Sequence, residues 1–165
     1  MNILVTGGAG FIGFHLCNEL LKKKNINVVG VDNLNNYYSV KLKKLRLSIL
    51  KKDKKFKFYK TDISNFGKLR NVFSKNKIDK IVNLAAQAGV RYSTKNPKEY
   101  FDSNVIGFFN IIELSKIFKI KKILYASSSS VYGEQSKFPI KESQKLIPKN
   151  IYSLSKKFNE ELSDL

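Results

Sequence analysis

Thr6-Gly7-Gly8-Ala9-Gly10-Phe11-Ile12-Gly13 follows a short apolar run, Asn2 to Thr6, and opens a stretch of helical period from Phe11 to Lys23. Glycines at 7, 10 and 13 between a strand and a helix each have a physical task. One permits the tight turn, one lets a pyrophosphate approach the backbone, and one lets the helix pack close to the strand. The free N–H groups at the start of the helix then face the anion. This context sets the motif apart from a merely flexible turn and makes Gly7, Gly10, Phe11, Ile12 and Gly13 candidate ligand-binding residues.

Further along the chain, β-branched or apolar runs alternate with longer helical segments, the signature of βαβ units and a parallel sheet. The expected strands are Asn2–Thr6, Asn27–Val31, Phe56–Tyr59, Lys80–Leu84 and Lys122–Ser127. Helices are expected over Phe11–Lys23, Val40–Leu50, Asn65–Ser74 and Pro97–Phe118, with a last one from about Tyr152 to the end at Leu165. In the fourth helix Tyr100, Asn104, Gly107, Ile111 and Leu114 share one face, which should pack on the sheet. Five parallel strands with right-handed crossovers give an α/β, doubly wound Rossmann-like sheet in the order 3-2-1-4-5. No linker or repeat divides residues 1–165, so one domain is expected.

The chain has 165 residues, 42% hydrophobic and 12% aromatic, enough for one core. One cysteine, Cys17, and one histidine exclude a disulfide framework and a Cys/His zinc site, and no metal is expected. The excess of 31 basic over 13 acidic residues, a net charge of +18, raises a nucleic-acid partner. Only Arg46, Arg70 and Arg91 are arginines, however, and Asn and Ile are abundant at 16 each, as an AT-rich coding bias produces. Neither a nucleic-acid nor a membrane partner is therefore expected. The run Lys51, Lys52, Lys54, Lys55 and Lys57 reads as a solvated face. The uncharged amino terminus lacks the basic start of a secretory signal, and no segment is long and apolar enough to span a membrane; the expectation is a cytoplasmic protein.

Asp32 stands 19 residues after Gly13 at the end of the second strand, where a carboxylate accepts hydrogen bonds from ribose hydroxyls. It would repel a 2′-phosphate, and no arginine is expected beside it, so NAD is favoured over NADP. Its plainer role is to start the loop Asn33–Asn36. Asp62, after the third strand, is a candidate for the adenine edge or the N-cap of the following helix. Tyr152 and Lys156 lie four residues apart on one helix face. A phenol of pKa about 10 becomes a base near neutral pH only if an adjacent cation stabilises the phenolate. Ser127-Ser128-Ser129-Ser130 follows the fifth strand at the ligand-binding end of the sheet, either offering a hydroxyl to a reacting oxygen or closing an ST-turn.

Together these residues resemble the NAD-dependent sugar-nucleotide epimerase/dehydratase family of the extended short-chain dehydrogenase/reductases. The resemblance runs through the glycine turn, Asp32, Asp62-Ile63, Asn83-Leu84-Ala85-Ala86, Asn104 with Gly107, the serine run with Val131-Tyr132-Gly133, and Tyr152 with Lys156. Ala86-Gln87-Ala88-Gly89-Val90-Arg91-Tyr92-Ser93 and Asp32-Asn33-Leu34-Asn35-Asn36-Tyr37-Tyr38 look most like UDP-glucuronate 4-epimerases. The resemblance implies NAD bound by the glycine turn, Asp32, Asn33, Asp62, Ile63, Ala85, Ala86 and Lys156. It implies Tyr152 as the base, Lys156 as the cation that lowers its pKa, Ser128 on the sugar 4-hydroxyl with Ser129 sharing that role, and Arg91 toward the sugar carboxylate or pyrophosphate, where a surface arginine is the plainer reading. The implied reaction is 4-epimerisation of a UDP-sugar by hydride transfer from C4 to NAD and return to the opposite face. Dehydratases carry acid and carboxylate groups just after the serine; here Ser129-Ser130 stand there and Glu134 comes too late. Asn83 departs from the family, where His is common. The family's carboxyl-terminal substrate domain is expected to be absent from residues 1–165, making the chain a fragment of an enzyme that is a homodimer in full. Rival readings are a non-catalytic NAD-binding module, UDP-glucose 4-epimerase and a sugar-nucleotide dehydratase.

Overall fold

Alternate residues of the central strands bury against opposite faces, which is why those strands are apolar throughout. The structure, a computed structural model, describes residues 1–164. Its elements are β1 (Asn2–Thr6), α1 (Phe11–Leu21), β2 (Asn27–Asp32), α2 (Val40–Leu50), β3 (Phe56–Lys60), α3 (Phe66–Lys75), β4 (Lys80–Asn83), α4 (Val90–Lys95), α5 (Pro97–Tyr100), a π-helical stretch (Phe101–Ile106), α6 (Gly107–Ile117), β5 (Ile123–Tyr125), a 3-10 turn (Ser129–Tyr132) and α7 (Ile151–Asp164). All strand pairs are parallel and the order is β3-β2-β1-β4-β5, as expected. On one face Leu4, Val29, Val31 and Ile81 pack with Leu69 and Phe73 of α3 and Ile111 and Leu114 of α6. On the other, Ile3, Val5 and Val28 pack with Cys17 and Leu21 of α1 and Leu47 and Leu50 of α2. Each fully buried Leu or Val contributes about 1.5–3 kcal/mol, so both layers hold the sheet.

Three local details differ from expectation. Asn65 is not helical but N-caps α3, its side chain accepting from the Lys68 N–H at 3.0 Å. The helix expected over Pro97–Phe118 widens to a π-helical stretch between α5 and α6, and the short α4 ahead of it was not anticipated. The expected face nonetheless holds: Tyr100, Asn104, Gly107, Ile111 and Leu114 are all buried. The fifth strand covers only Ile123–Tyr125, shorter than expected, although the flanking Lys122 carbonyl and Ala126 N–H still bond to Ile81 and Asn83 of β4. The expected run of the last helix to Leu165 lies outside the described residues.

Among the described residues β5 pairs with β4 alone, and Leu124 on it is 67% exposed. Unpaired edges template association. The 165-residue chain is expected to self-associate in size-exclusion chromatography and Leu124→Lys to reduce this; a wild-type monomer at high concentration would refute it.

Candidate active site

Two glycines shape the turn after β1. Gly7 has a φ of 68°, and a Cβ at Gly13 would lie 2.1 Å from the Gly7 carbonyl oxygen, so a side chain there would push α1 off the turn. Gly10 caps α1 without a side chain, and no acidic residue stands in the first turn. The N–H groups there have no side-chain cap among the described residues and form the positive end of the helix. A cleft of about 420 Å³ opens over this turn, and Gly7, Gly10, Phe11, Ile12, Gly13, Asp32, Asn33, Asp62, Ile63, Ala85 and Ala86 all line it.

Asp32 starts the loop after β2, its plainer role, and also lines the cleft. Its buried carboxylate accepts from the Ala9 N–H at 3.1 Å and from the Leu34 N–H at 2.8 Å, tying the glycine turn to the loop after β2. Each oxygen keeps a lone pair for a further donor. Lys43, only 6% exposed, lies 4.0 Å from that carboxylate and donates to the Asn35 carbonyl at 3.0 Å and side-chain oxygen at 2.8 Å. Arg46, almost one turn further along α2, donates to the Ala9 carbonyl at 3.3 Å with its guanidinium 5.7 Å from the Phe11 ring centre. Both line the cleft, which corrects the expectation that no arginine stands near the Asp32 end. In sequence the pair is hidden within a lysine-rich helix, and its i, i+3 spacing shows a shared face but not that the face turns inward.

Asp62 does not cap α3, since Asn65 does. It accepts from Asn33 Nδ2 at 2.8 Å, the Ser64 N–H at 2.9 Å and the Ser64 hydroxyl at 2.7 Å. Burial pushes its carboxyl up, but these three bonds outweigh that and hold it below the usual range.

The loop after β4 is pinned from two sides. The Thr6 hydroxyl accepts from the Leu84 N–H at 3.1 Å and the Ala85 N–H at 3.0 Å and donates to Asn83, which gives that unusual Asn a partner. Asn104 accepts from the Gln87 N–H at 2.8 Å and donates to the Gln87 carbonyl and to the Ser155 hydroxyl, each at 3.0 Å. The Gln87 side chain lines the cleft and its buried Nε2 has no partner among the described residues. The pinched glycine turn and this unmatched donor fit a polar, anionic ligand such as a dinucleotide.

At the far end Ala126 lines the cleft, and its carbonyl accepts from Lys156 Nζ at 2.9 Å. Burial pushes the Lys156 ammonium down to about 8, with no carboxylate in ion-pair range among the described residues. Asn150 and Ser153 start α7 by reciprocal bonds, Ser153 N–H to Asn150 Oδ1 at 2.9 Å and Asn150 N–H to Ser153 Oγ at 3.2 Å, so the turn carrying half-buried Tyr152 is fixed. Ser128 closes an ST-turn, accepting from the Ser130 N–H at 3.2 Å and lying 2.9 Å from the Ser130 hydroxyl, while Ser127 donates to Glu160. Ser129 begins the 3-10 turn, against which α7 packs. Arg91 is exposed on the first turn of α4. None of Tyr152, Lys156, Ser128, Ser129 or Arg91 lines the cleft itself; Lys156 reaches it through Ala126.

A five-stranded parallel sheet with a glycine turn after β1, a tethered carboxylate at the end of β2 and a Tyr–Lys helix bonded to the residue after β5 is a Rossmann-like arrangement. The chain belongs to a family of NAD-dependent epimerases and dehydratases: the family model described as GDP-mannose 4,6 dehydratase matches residues 4–164. It is 48% identical over 161 residues to the protein CapI of Staphylococcus aureus, covering 97% of this chain and 48% of that one. It is likewise 48% identical over 161 residues to the UDP-glucuronate 4-epimerase of Thermodesulfobacterium geofontis, covering 97% of this chain and 49% of that one. The solved UDP-glucuronic acid 4-epimerase of Bacillus cereus, in complex with UDP-glucuronic acid and NAD, superposes with a TM-score of 0.91 at 37% identity, over 99% of this chain and 51% of that one. The chain thus spans about half the length of these relatives.

Proposed function

We propose that the chain binds NAD in this cleft and carries the acid–base residues of a UDP-sugar 4-epimerase acting on UDP-glucuronate. The supporting observation is the bond from Lys156 to Ala126, which joins the Tyr–Lys helix to the cleft wall opposite Asp32. The names of the two epimerase relatives favour the substrate. The glycine turn holds the pyrophosphate, Asp32 and Asn33 the adenosine ribose, Asp62 and Ile63 the adenine, and Ala85 and Ala86 the wall beside the dinucleotide. Lys43 neutralises Asp32 without displacing it.

When bound, NAD supplies a reversible hydride acceptor at C4 of the sugar. Tyr152 takes the proton from the 4-hydroxyl and returns it after the sugar turns over. Lys156 stabilises the phenolate and reaches a ribose hydroxyl, Ser128 and Ser129 hold the 4-oxygen, and Arg91 faces the sugar carboxylate or pyrophosphate as a two-pronged cation. Water elimination, the dehydratase alternative, has no acid and base in place: Ser129 and Ser130 lie in the 3-10 turn and Glu134 is exposed beyond it. Residues 1–165 form the cofactor domain of that cytoplasmic enzyme, and its UDP-binding domain lies outside them. Phe109 and Ile117 of α6 and Leu154 and Phe158 of α7 are exposed apolar residues available to a homodimer. The test is NADH fluorescence with this chain, and UDP-glucuronate against UDP-glucose turnover in a chimera joining it to the carboxyl-terminal half of the Bacillus cereus epimerase. A chimera that binds NADH and turns over only UDP-glucose would reject the substrate assignment.

NAD should bind more tightly than NADP, because a 2′-phosphate would meet the Asp32 carboxylate. With Lys43 and Arg46 left in place, Asp32→Ala is expected to narrow the preference about tenfold, equivalent to ~1.4 kcal/mol. Equal affinity of the unaltered chain for both in a fluorescence titration would show that Asp32 does not select.

A further inference from the structure

We propose that Tyr100 is a positioning residue that sets the loop lining the cofactor cleft in register with the ring of Tyr152. The inference rests on the function proposed above and deepens it. Tyr100 ends α5 and is fully buried, yet its hydroxyl is not spent on its own helix. It lies 2.7 Å from the Ala88 carbonyl oxygen and 2.6 Å from that of Gly89, donating one proton shared between them. Ala88 lines the cleft, and Gly89 caps α4, the helix that begins with Val90 and Arg91. Burial pushes the Tyr100 phenol up to about 12, so it remains a donor at any ordinary pH.

The ring does separate work. Its centroid is 6.1 Å from that of Tyr152 with the planes at 75°, an edge-to-face contact that limits where the Tyr152 ring can tilt. One residue therefore holds the cleft loop by its hydroxyl and the Tyr152 ring by its edge. Asn104, four residues on, repeats the arrangement one turn along: it grips the backbone of Gln87 and the Ser155 hydroxyl, and Ser155 in turn donates to the Tyr152 carbonyl at 2.7 Å. Two side chains on one helix face thus set the spacing between the cofactor wall and α7. Catalysis that depends on hydride and proton leaving the same carbon–oxygen unit is sensitive to that spacing at the ångström scale.

Two substitutions separate the two tasks. Tyr100→Phe keeps the ring and removes the tether, whereas Tyr100→Leu removes both. In the 165-residue chain, Tyr100→Phe is expected to speed amide hydrogen exchange across Gly89–Arg91 about tenfold, leave exchange in β1 and β2 unchanged, and weaken NADH binding several-fold. In the chimera, Tyr100→Leu is expected to lower kcat at least about tenfold further than Tyr100→Phe, with the UDP-sugar KM within about threefold, and phenylalanine at this position should restore most of the difference. Unchanged loop exchange in the Tyr100→Phe chain would overturn the proposal, as would Leu and Phe variants of equal kcat. Should the Leu variant fail to fold, loop exchange in the Phe variant decides alone. Absence of NADH binding by the unaltered chain would instead defeat the proposed function, while the exchange measurement still decides whether Tyr100 holds the loop.

Discussion

Tyr152→Phe, in the chimera with the Bacillus cereus half, is expected to end UDP-glucuronate turnover while NAD affinity stays within about twofold of the unaltered protein. Phenylalanine keeps the edge contact with Tyr100, so α7 and the cleft wall stay where they are. The one change is loss of the group that takes and returns the C4 hydroxyl proton. A positioned acid or base contributes about 10²–10⁴ in rate, and no other phenol or carboxylate lies on that turn of α7 to replace it. Retention of more than a few per cent of turnover would assign the proton transfer elsewhere, Ser128 being the next candidate.

Lys156→Met is expected to separate stability from function. Burial lowers the Lys156 ammonium from 10.5 to about 8, and its one hydrogen-bond partner among the described residues is the uncharged Ala126 carbonyl. Because the unfolded chain holds this proton more tightly, the charged lysine destabilises the fold. At pH 7 the difference of about 2.5 units at ~1.36 kcal/mol each gives roughly 3 kcal/mol. The penalty is fully present below pH 8 and is relieved as pH rises from 8 toward 10.5, where folded and unfolded chains are both neutral at this site. Methionine removes it but leaves the Ala126 carbonyl without its donor, at about 1 kcal/mol. Denaturant unfolding should therefore show Lys156→Met about 2 kcal/mol more stable than the unaltered chain at pH 7, with the advantage shrinking above pH 8. NADH binding should weaken at the same time and turnover in the chimera should be lost. A variant less stable at pH 7, or one whose advantage does not change with pH, would show that the ammonium is held more favourably than its burial implies.

What could be read from the sequence follows how local each signal is. The glycine turn and Asp32 are tied to one strand–turn–helix and one strand end, and all the residues assigned there line one cleft. The strand order came from alternation and handedness, which need only the element list. Lys43 and Arg46 were missed because Lys41, Lys43 and Lys44 crowd the start of α2, and only the docked helix shows which of them turns inward. The cap at Asn65 displaced Asp62 because both are good cap residues and the chain enters the helix three residues later than Asp62. The π-helical stretch has no sequence marker, since it serves to bring Asn104 against Gln87 and Ser155, partners 17 and 51 residues away. The Ser128 hydroxyl that closes the ST-turn is the same group a substrate contact would use, so the serine run alone carries both readings.

The exposed rim of β5 is preceded by Lys121 and Lys122, both exposed, on a molecule carrying a net charge of +18. Two such molecules approaching rim to rim meet mutual repulsion before any backbone pairing begins. That barrier reaches about 30 Å in 0.01 M salt and only about 10 Å in 0.1 M. Ionic strength thus becomes a colloidal control: dilute buffer keeps copies dispersed, and added salt lets the short-range attraction of the rim take over, the reverse of an assembly stitched by ion pairs.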